Sequence, residues 1–257
     1  MNDNIAKLAG AIKKSDNIVF FGGAGVSTES GIPDFRSSDG IYNMKYKYPP
    51  EQIVSHSFFM SNTSEFYAFY REKMLHPDAM PNKAHYALAM LEKQGKLKAI
   101  VTQNVDGLHH KAGSIKVFEL HGSRSRYFCM SCGEVYSMDT VLEAEDVPMC
   151  SCGGIIRPDV VLFEEALDQS VIDKSVNAIR KAEVLIVGGT SLNVYPAAGL
   201  IQYYNGDMLI LINKSETPFD SYANIIIRDA IGETLDAALR AAIVPKLAGT
   251  ITNDEGF

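Results

Sequence analysis

The sequence predicts an α/β fold built on a Rossmann-like, parallel, doubly wound sheet. Short apolar runs alternate with segments of helical periodicity, the pattern of repeated βα units. The apolar runs occupy residues 17–21, 97–101, 116–120, 183–187 and 207–212. Polar or glycine-rich residues follow four of them, at 22–25, 103–106, 188–191 and Asn213. Open α/β sheets bind ligands at this edge, so we expect a dinucleotide to lie across it.

Length and charge limit the possible functions. The 257 residues are 46% hydrophobic, enough for one large domain or two small ones, and 24 basic against 31 acidic residues give a net charge of −7. This balance argues against nucleic acid as the main partner but allows a basic peptide substrate. Residues 1–16 lack the apolar core of a signal peptide, and no run approaches the ~20 apolar residues of a membrane span. We expect a soluble, cytoplasmic protein.

The first βα unit carries a glycine turn. A predicted helix over residues 3–14 precedes the first strand, and Gly22 to Gly25 follow it, then Ser27 and Thr28. Such a turn brings backbone N–H groups close to a phosphate. The GxGxxG fingerprint is incomplete, so an ordinary tight turn is the alternative.

Residues 30–81 combine a polar loop with an aromatic segment. Pro33 fixes the backbone ahead of Asp34, Phe35 and Arg36, a ligand-contacting arrangement whose alternative is a polar loop with a buried Phe35. The aromatic residues between 58 and 71 favour a helical excursion from the α/β pattern, mostly core or lid packing.

The segment 102–123 holds the richest set of titratable groups. A helix capped by Asn82 leads into the second strand, after which the polar residues begin. His109 and His110 lie in a helix-like stretch, and His121 follows the next strand. Histidine is a suitable general base near neutral pH, and by residue type all three are candidates.

The four cysteines predict a zinc ribbon. Cys129 and Cys132 form one pair, and Cys150 and Cys152 form a second after 17 residues, each pair followed by glycine. Two such turns place four sulfurs around one tetrahedral ion, with no open coordination position, so the zinc is structural. Disulfides or free thiols are the alternatives, and a cytoplasmic location opposes disulfides.

The last third returns to the α/β pattern. Residues 157–164 form a short extended segment, and a helix is expected around 168–182. Pro196 opens a further helix near its first turn, and a last helix runs from about Ile231 to Ala242.

These residues together resemble one family. The chain is similar to the sirtuins of the bacterial and archaeal single-domain type at seven motifs. These are the cysteine pairs and the strings GAGVSTESGIPDFR (23–36), TQNVDGLHHKAG (102–113), ELHGS (119–123), RPDVVLF (157–163), GGTSLNVYPA (188–197) and INK (212–214). Sirtuins are NAD-dependent protein-lysine deacylases. The resemblance covers residues from about 17 to 240, and seven motifs in order make chance implausible.

The resemblance implies a division into two domains. Residues 1–36, 82–122 and 155–245 would form the NAD-binding domain, and 246–257 a tail. Two insertions, helical at 37–81 and zinc-binding at 123–154, would form the small domain.

The resemblance also assigns roles to residues. The NAD contacts would come from Ala24, Thr28, Phe35, Arg36, Gln103, Val105, Asp106, Thr190, Ser191, Asn213 and Ala230. Asn104 would support the ribose hydroxyls. The acyl-lysine and its peptide would lie against Val160, Val161, Phe163 and Val194, adding a strand between two loops.

The implied reaction transfers the acyl group to ADP-ribose. The acyl oxygen attacks C1′ of the nicotinamide ribose, nicotinamide leaves, and His121 then acts as general base on a ribose hydroxyl. The products are free lysine and O-acetyl-ADP-ribose. His109 and His110 are expected to be dispensable for this chemistry.

Two departures concern the substrate. Glu164 stands where sirtuins usually have glycine. Members that remove acidic acyl groups carry a Tyr-x-x-Arg pair, which here is Tyr67 and Tyr70, with Arg71 one place later. An uncharged Tyr70 cannot pair with a succinyl carboxylate, so we predict activity on acetyl or other neutral acyl groups.

Three other functions remain open from the residues. They are ADP-ribosylation of a protein acceptor, a non-catalytic NAD- or zinc-dependent binding module, and hydride transfer by a dehydrogenase, since fold does not determine function.

Overall fold

Regular secondary structure covers most of the chain. The computed structural model describes residues 3–37, 40–43 and 46–243, so the predicted tail 246–257 lies outside the described residues. The strands described are β1 Ile18–Gly22, β2 Leu97–Thr102, β3 Val117–Glu119, β4 Gly122–Cys129, β5 Val135–Tyr136, β6 Ile156–Val160, β7 Val184–Gly188, β8 Met208–Ile212 and β9 Ile225–Ile227. The α-helices described are α1 Asp3–Lys14, α2 Pro50–Ile53, α3 His56–Ser61, α4 Thr63–Phe69, α5 Lys83–Lys93, α6 Leu108–Lys111, α7 Met138–Glu143, α8 Gln169–Lys181 and α9 Ile231–Ile243.

The large sheet has six strands in the order β3-β2-β1-β7-β8-β9, and every neighbouring pair is parallel. The chain builds outward from β1 in one direction and from β7 in the other. The order therefore reverses between β1 and β7, the position at which open α/β sheets form a ligand crevice. The five predicted strands are confirmed. β9 was not predicted, because three residues are too few to show a periodic pattern.

Helices cover both faces of this sheet. One hydrophobic cluster joins α1, α5 and α9 to the strands, with Leu8, Leu88 and Leu235 among its buried side chains. A second cluster on the opposite face includes Ile179 of α8 and Ile201. Each helix buries a single apolar stripe, as amphipathic helices do. The doubly wound α/β prediction is therefore confirmed.

One predicted helix takes a different form. The segment after Pro196 folds as 3₁₀ turns over Ala197–Tyr203 rather than as an α-helix. Its buried residues Ala197, Ala198, Leu200 and Ile201 pack into the second hydrophobic cluster. The helix predicted after Pro196 is therefore present, as a 3₁₀ helix.

A smaller, antiparallel sheet with strand order β5-β4-β6 stands beside the large one. Its core is continuous with the aromatic helices α3 and α4, since Phe59, Phe66 and Tyr67 share one buried cluster with Tyr127 and Ile156. Their rings meet mostly edge to face, the geometry that aromatic pairs prefer. The helical and cysteine-bearing insertions thus share one hydrophobic core. No helix in the described ranges has both the length and the apolarity needed to cross a membrane.

Candidate active site

The polar segments meet at one edge of the large sheet. In the strand register, Gly22 lies beside Thr102 on one side and Gly188 on the other, and Gly188 lies beside Ile212. The residues that follow these positions therefore start side by side. The parallel register brings together segments that are up to 190 residues apart, as the sequence pattern predicted.

The glycine turn packs directly on the segment after β7. A Cβ on Gly23 would lie 2.8 Å from Thr190 Cβ, and one on Gly25 would lie 2.8 Å from Gly189 Cα. Gly25 N–H also donates to the Gly189 carbonyl at 2.8 Å. Larger residues would force the two strand ends apart, so the glycines permit close approach of two chain segments as well as of a ligand.

Ala24 and Thr28 lie in two short 3₁₀ turns that follow this glycine turn, Ala24–Val26 and Thr28–Ser30. The Thr28 hydroxyl donates to the Gly25 carbonyl at 3.0 Å. Both residues therefore lie in or directly after the glycine turn that follows β1.

Thr190 connects the segment after β7 to the segment after β2. Its hydroxyl oxygen accepts hydrogen bonds from Gln103 Nε2 at 3.0 Å and from Leu192 N–H at 3.2 Å. Arg36 reaches the same region, with Nη1 3.5 Å from Ser191 Oγ. Four predicted NAD contacts from three distant motifs thus lie together.

Ser27 is the centre of a buried hydrogen-bond network that sequence reasoning missed. Its hydroxyl donates to Asp106 Oδ2 at 2.6 Å and accepts from Asn104 Nδ2 at 3.1 Å. Asp106 Oδ1 also accepts from Leu108 N–H at 2.9 Å. The network orients both the Asn104 carboxamide and the Asp106 carboxylate. Its one sequence signal was a hydroxyl residue directly after the glycine turn.

His121 is held as a neutral base. Its Nδ1 lies 2.8 Å from the Gln103 carbonyl oxygen, which can only accept, so Nδ1 carries the proton and Nε2 keeps a free lone pair. Burial lowers the pKa of His121 from its ordinary value, and the hydrogen bond to Gln103 opposes this only in part. The imidazole is therefore neutral at pH 7 and able to accept a proton.

The other two histidines have different surroundings. His109 is buried, and burial, with His85 and His110 nearby, holds its pKa well below the ordinary value. His110 is exposed, with Nδ1 3.2 Å from the Ser114 carbonyl oxygen. Both belong to α6, as the helix-like pattern indicated.

The predicted acyl-lysine segment, which begins at Val160, is hydrogen-bonded to His121. Val161 N–H donates to the His121 carbonyl at 3.0 Å, and Val160 pairs with Gly122 across β6 and β4. Phe163 is 41% exposed, large for an apolar ring, and Val194 is partly buried. An exposed aromatic ring two residues after Val161 is suited to contact a substrate.

The remaining predicted NAD contacts lie at the two ends of the edge. Phe35 packs against Tyr42 with ring centroids 5.4 Å apart, and the Val105 carbonyl accepts from Arg124 N–H at 2.9 Å. At the other end, Asn213 Nδ2 donates to the Ser215 carbonyl at 2.8 Å, and Ala230 directly precedes α9. In the described residues, no hydrogen bond joins Asn213 or Ala230 to Thr190 or Ser191.

The four cysteines form a metal site. Their sulfur atoms all lie within 4.8 Å of one another, with Cys129 3.5 Å from Cys152 and Cys132 3.6 Å from Cys150. Tetrahedral zinc with ~2.3 Å bonds places its sulfurs ~3.8 Å apart. These separations exceed a disulfide bond, and all four residues are free thiols. The donor set fits zinc and leaves no open ligand position.

Local turn geometry positions the thiols. Cys129 ends β4, and the turn after each pair contains a left-handed glycine, Gly133 with φ of 76° and Gly153 with φ of 84°. Ser131 N–H donates to Cys129 Sγ at 3.3 Å. Left-handed glycines reverse the chain tightly, which is why glycine follows each pair.

Comparison with known proteins agrees with this geometry. The family model described as the Sir2 family matches residues 23–196. An NAD-dependent protein deacetylase of Clostridium perfringens is 59% identical over 239 residues, 91% of this chain and 98% of the relative. One of Clostridium acetobutylicum is 57% identical over 241 residues, 92% of this chain and 98% of the relative.

Solved Sir2 structures share the fold over nearly the whole chain. One Sir2 enzyme, 39% identical, superposes with a TM-score of 0.86 over 94% of this chain and 98% of its own. Another Sir2 structure, described with a deacetylated p53 peptide and 3′-O-acetyl-ADP-ribose, is also 39% identical, with a TM-score of 0.84 over 91% of this chain and 96% of its own. The family model, the curated relatives and the fold agree, and the chain belongs to the Sir2 family.

Proposed function

We propose that the protein is an NAD-dependent protein-lysine deacetylase, in which the acetyl group of acetyl-lysine passes to ADP-ribose and nicotinamide is released. The observation that carries this proposal is the neutral, partly buried His121, whose Nδ1 is bound to the carbonyl of Gln103, the residue before Asn104 in the network with Ser27 and Asp106. The clostridial relatives are deacetylases of this type, and a Sir2 neighbour is described with an acetyl-ADP-ribose product. The enzyme class, the use of NAD and the zinc site all follow from this assignment.

The residues around the cleft fit NAD. Gly23 and Gly25 let the turn after β1 pack closely on Gly189 and Thr190, and Gln103 and Thr190 supply polar atoms along the same edge. Bound NAD supplies a ribose carbon from which nicotinamide can leave. We propose that Asn104 orients the ribose hydroxyls and that His121 Nε2 accepts a proton from one of them.

The other assigned residues complete the site. We propose that Ala24, Thr28, Phe35, Arg36, Val105, Asp106, Ser191, Asn213 and Ala230 contact NAD with Gln103 and Thr190. The acyl-lysine lies against Val160, Val161, Phe163 and Val194. We place the domain boundaries at the insertions 37–81 and 123–154.

The partners are acetyl-lysine-containing proteins or peptides. The net charge of −7 favours basic segments and gives no reason to expect nucleic acid. We propose a cytoplasmic location, since four thiols held as zinc ligands suit a reducing compartment.

Mass analysis of one reaction tests the proposal. The protein is incubated with NAD and an acetyl-lysine peptide, and we expect loss of the acetyl mass from the peptide together with O-acetyl-ADP-ribose and nicotinamide. ADP-ribose attached to protein, or reduced nicotinamide, would instead indicate one of the rival reactions.

The acyl preference has a structural basis. The Tyr67 hydroxyl donates to the Ile156 carbonyl, and Arg71 Nη1 donates to the Asp146 carbonyl at 2.8 Å. Tyr70 is buried and stacks on Phe66 with centroids 5.5 Å apart. Arg71 is thus engaged elsewhere, and we expect acetyl-lysine peptides to react at least ~10-fold faster than succinyl-lysine peptides, since pairing a buried carboxylate needs a cation. Faster succinyl turnover would contradict this.

A further inference from the structure

Glu164 occupies a backbone conformation that is unusual for its residue type. Its φ is 76°, in the left-handed region that glycine adopts freely and residues with a Cβ avoid. Such a conformation persists only where surrounding contacts hold it. The Glu164 side chain is exposed, so burial is not what holds it.

The contacts of Glu164 join the acyl-lysine loop to the helical insertion. Ser57 N–H donates to Glu164 Oε2 at 2.8 Å, and the Ser57 hydroxyl donates to Oε1 at 3.0 Å. One carboxylate thus receives two hydrogen bonds from one residue in the first turn of α3. Hydrogen bonds to a charged acceptor are the stronger kind.

The backbone of the loop binds the same turn of α3. His56 N–H donates to the Phe163 carbonyl at 3.0 Å, and Phe163 N–H donates to the Val54 carbonyl at 3.0 Å. Further along the first turn of the helix, Phe58 N–H donates to the Ser55 hydroxyl oxygen at 3.3 Å. The loop therefore supplies acceptors for two N–H groups that the start of a helix leaves without partners.

The neighbouring Glu165 fastens the loop to β6. Its carboxylate accepts from Arg157 Nη1 at 2.8 Å and Nη2 at 3.0 Å, and from Leu162 N–H at 2.8 Å. Burial alone would raise its pKa, but these bonds, with one from His56, lower the pKa of Glu165 to about 2. Glu165 thus joins the loop to β6 and, through His56, to α3, and Glu164 adds a second side-chain contact to α3 at Ser57.

We propose that Glu164 is a positioning residue for the peptide substrate, holding the acyl-lysine loop in its binding conformation through Ser57. This inference rests on the proposed function, in which residues 160–164 pair with the peptide as an added strand. Such pairing depends on main-chain hydrogen bonds, so a loop already fixed loses less conformational entropy on binding. The carboxylate compensates for a backbone that would otherwise favour glycine.

The test compares four variants with the wild-type protein. Glu164→Gly relieves the backbone but removes the carboxylate, Glu164→Gln keeps an acceptor, and Ser57→Ala removes one donor. Glu145→Ala removes an exposed carboxylate from the zinc-bearing insertion and is the control. The measurements are anisotropy of a fluorescent acetyl-lysine peptide, KM for peptide and for NAD, and the melting temperature.

We expect Glu164→Gly to weaken peptide binding about 5-fold to 10-fold, the effect of losing hydrogen bonds to a charged group at an exposed site. Its melting temperature should stay unchanged or rise, because glycine accepts this φ without strain. Glu164→Gln and Ser57→Ala should give intermediate losses, and KM for NAD should stay within about 2-fold in every variant. Glu145→Ala should change nothing.

Two results would overturn the inference in an active enzyme. One is unchanged peptide binding in Glu164→Gly, and the other is a parallel loss of peptide binding, NAD binding and melting temperature, which indicates a merely structural role. A wild-type protein that releases no nicotinamide would overturn the proposed function instead. Amide hydrogen exchange of residues 161–165 then still tests whether the Glu164–Ser57 contact holds the loop. The inference requires faster exchange in Glu164→Gly than in the wild-type protein, and no change in Glu145→Ala.

Discussion

The histidines of this protein show how residue type and surroundings together set chemistry. His121 has one ring nitrogen bound to the Gln103 carbonyl and the other free at the sheet edge. His85 and His109 instead face each other in the core, with ring centroids 4.7 Å apart. Neither ring nitrogen of His109 has a hydrogen-bond partner in the described part of the chain. Of these three histidines, His121 is the one that is partly exposed, and the Gln103 carbonyl fixes its tautomer.

Replacing His121 should abolish most of the chemistry. We expect His121→Ala to lower kcat for an acetyl-lysine peptide by about 10²-fold to 10⁴-fold, the usual contribution of a general base. His110 is exposed, and kcat of the control variant His110→Ala should stay within about 2-fold of wild type. Steady-state kinetics with both proteins decides this, and equal losses would contradict the assignment.

The pH dependence of kcat should follow from the lowered pKa of His121. A base acts when deprotonated, and burial shifts this pKa below its ordinary value of 6.5. We therefore expect a plateau through pH 7 and a fall only below pH 6.5. A profile that is still rising between pH 7 and 8 would show that another group limits the rate.

Acid should destabilise the fold through the two core histidines. Burial lowers the pKa of His85 to about 4 and that of His109 well below 6.5. The unfolded state therefore binds more protons in acid, so the stability is complete above pH 6.5 and is lost as pH falls. The expected slope approaches about 1.4 kcal/mol per pH unit for each histidine. Urea unfolding at several pH values measures it, and His109→Phe should give a shallower slope than wild type.

At the scale of elements, the small sheet links the zinc site to the substrate loop. Cys129 ends β4, β6 pairs with β4, and the chain leaving β6 at Val160 enters the acyl-lysine segment. Arg157 of β6 also binds Glu165 in that loop. We therefore expect a zinc ion bound at the end of β4 to influence the proposed peptide site through the sheet.

Removing zinc should loosen this sheet. We expect one zinc per chain by elemental analysis, and a melting temperature lower by at least about 5 °C after chelation, because structural zinc contributes directly to folding. Cys150→Ser should lose zinc, whereas the adjacent Ser151→Ala should retain it. Full stability after chelation would contradict a structural role.

At the scale of the whole molecule, the cleft depends on sheet order. β1 and β7 are neighbours although 161 residues separate the end of one from the start of the other. Their pairing places the glycine turn against Gly189 and Thr190 and brings Gln103 to the same edge. The helical and zinc-bearing insertions share one core beside this edge, so both lie next to the proposed acyl-lysine site.

Binding of NAD in this cleft should stabilise the molecule. At about 100 times its Kd, a ligand specific for the folded state adds about 2.7 kcal/mol. For a chain of this size we expect the melting temperature to rise about 5–10 °C. Ser27→Ala should reduce the shift because it disconnects Asn104 from Asp106, whereas Ser170→Ala on α8 should not.

The sequence alone determined the parts of this protein that depend on local pattern. Apolar runs predicted five strands of the large sheet, and cysteine spacing predicted the zinc site. The strand-end position, together with the resemblance to the sirtuins, separated His121 from His109 and His110. Each signal lies within about 25 residues, where periodicity and turn chemistry act directly. The fold class and the family follow from these signals together.

The tertiary structure alone decided which distant residues touch. Ser27 meets Asp106 across 79 positions, and Ser57 meets Glu164 across 107. β9 forms because β8 offers it an edge, and its three residues carry too little pattern to predict it. Such contacts are set by how packed elements place their ends in space, and no local propensity encodes that placement.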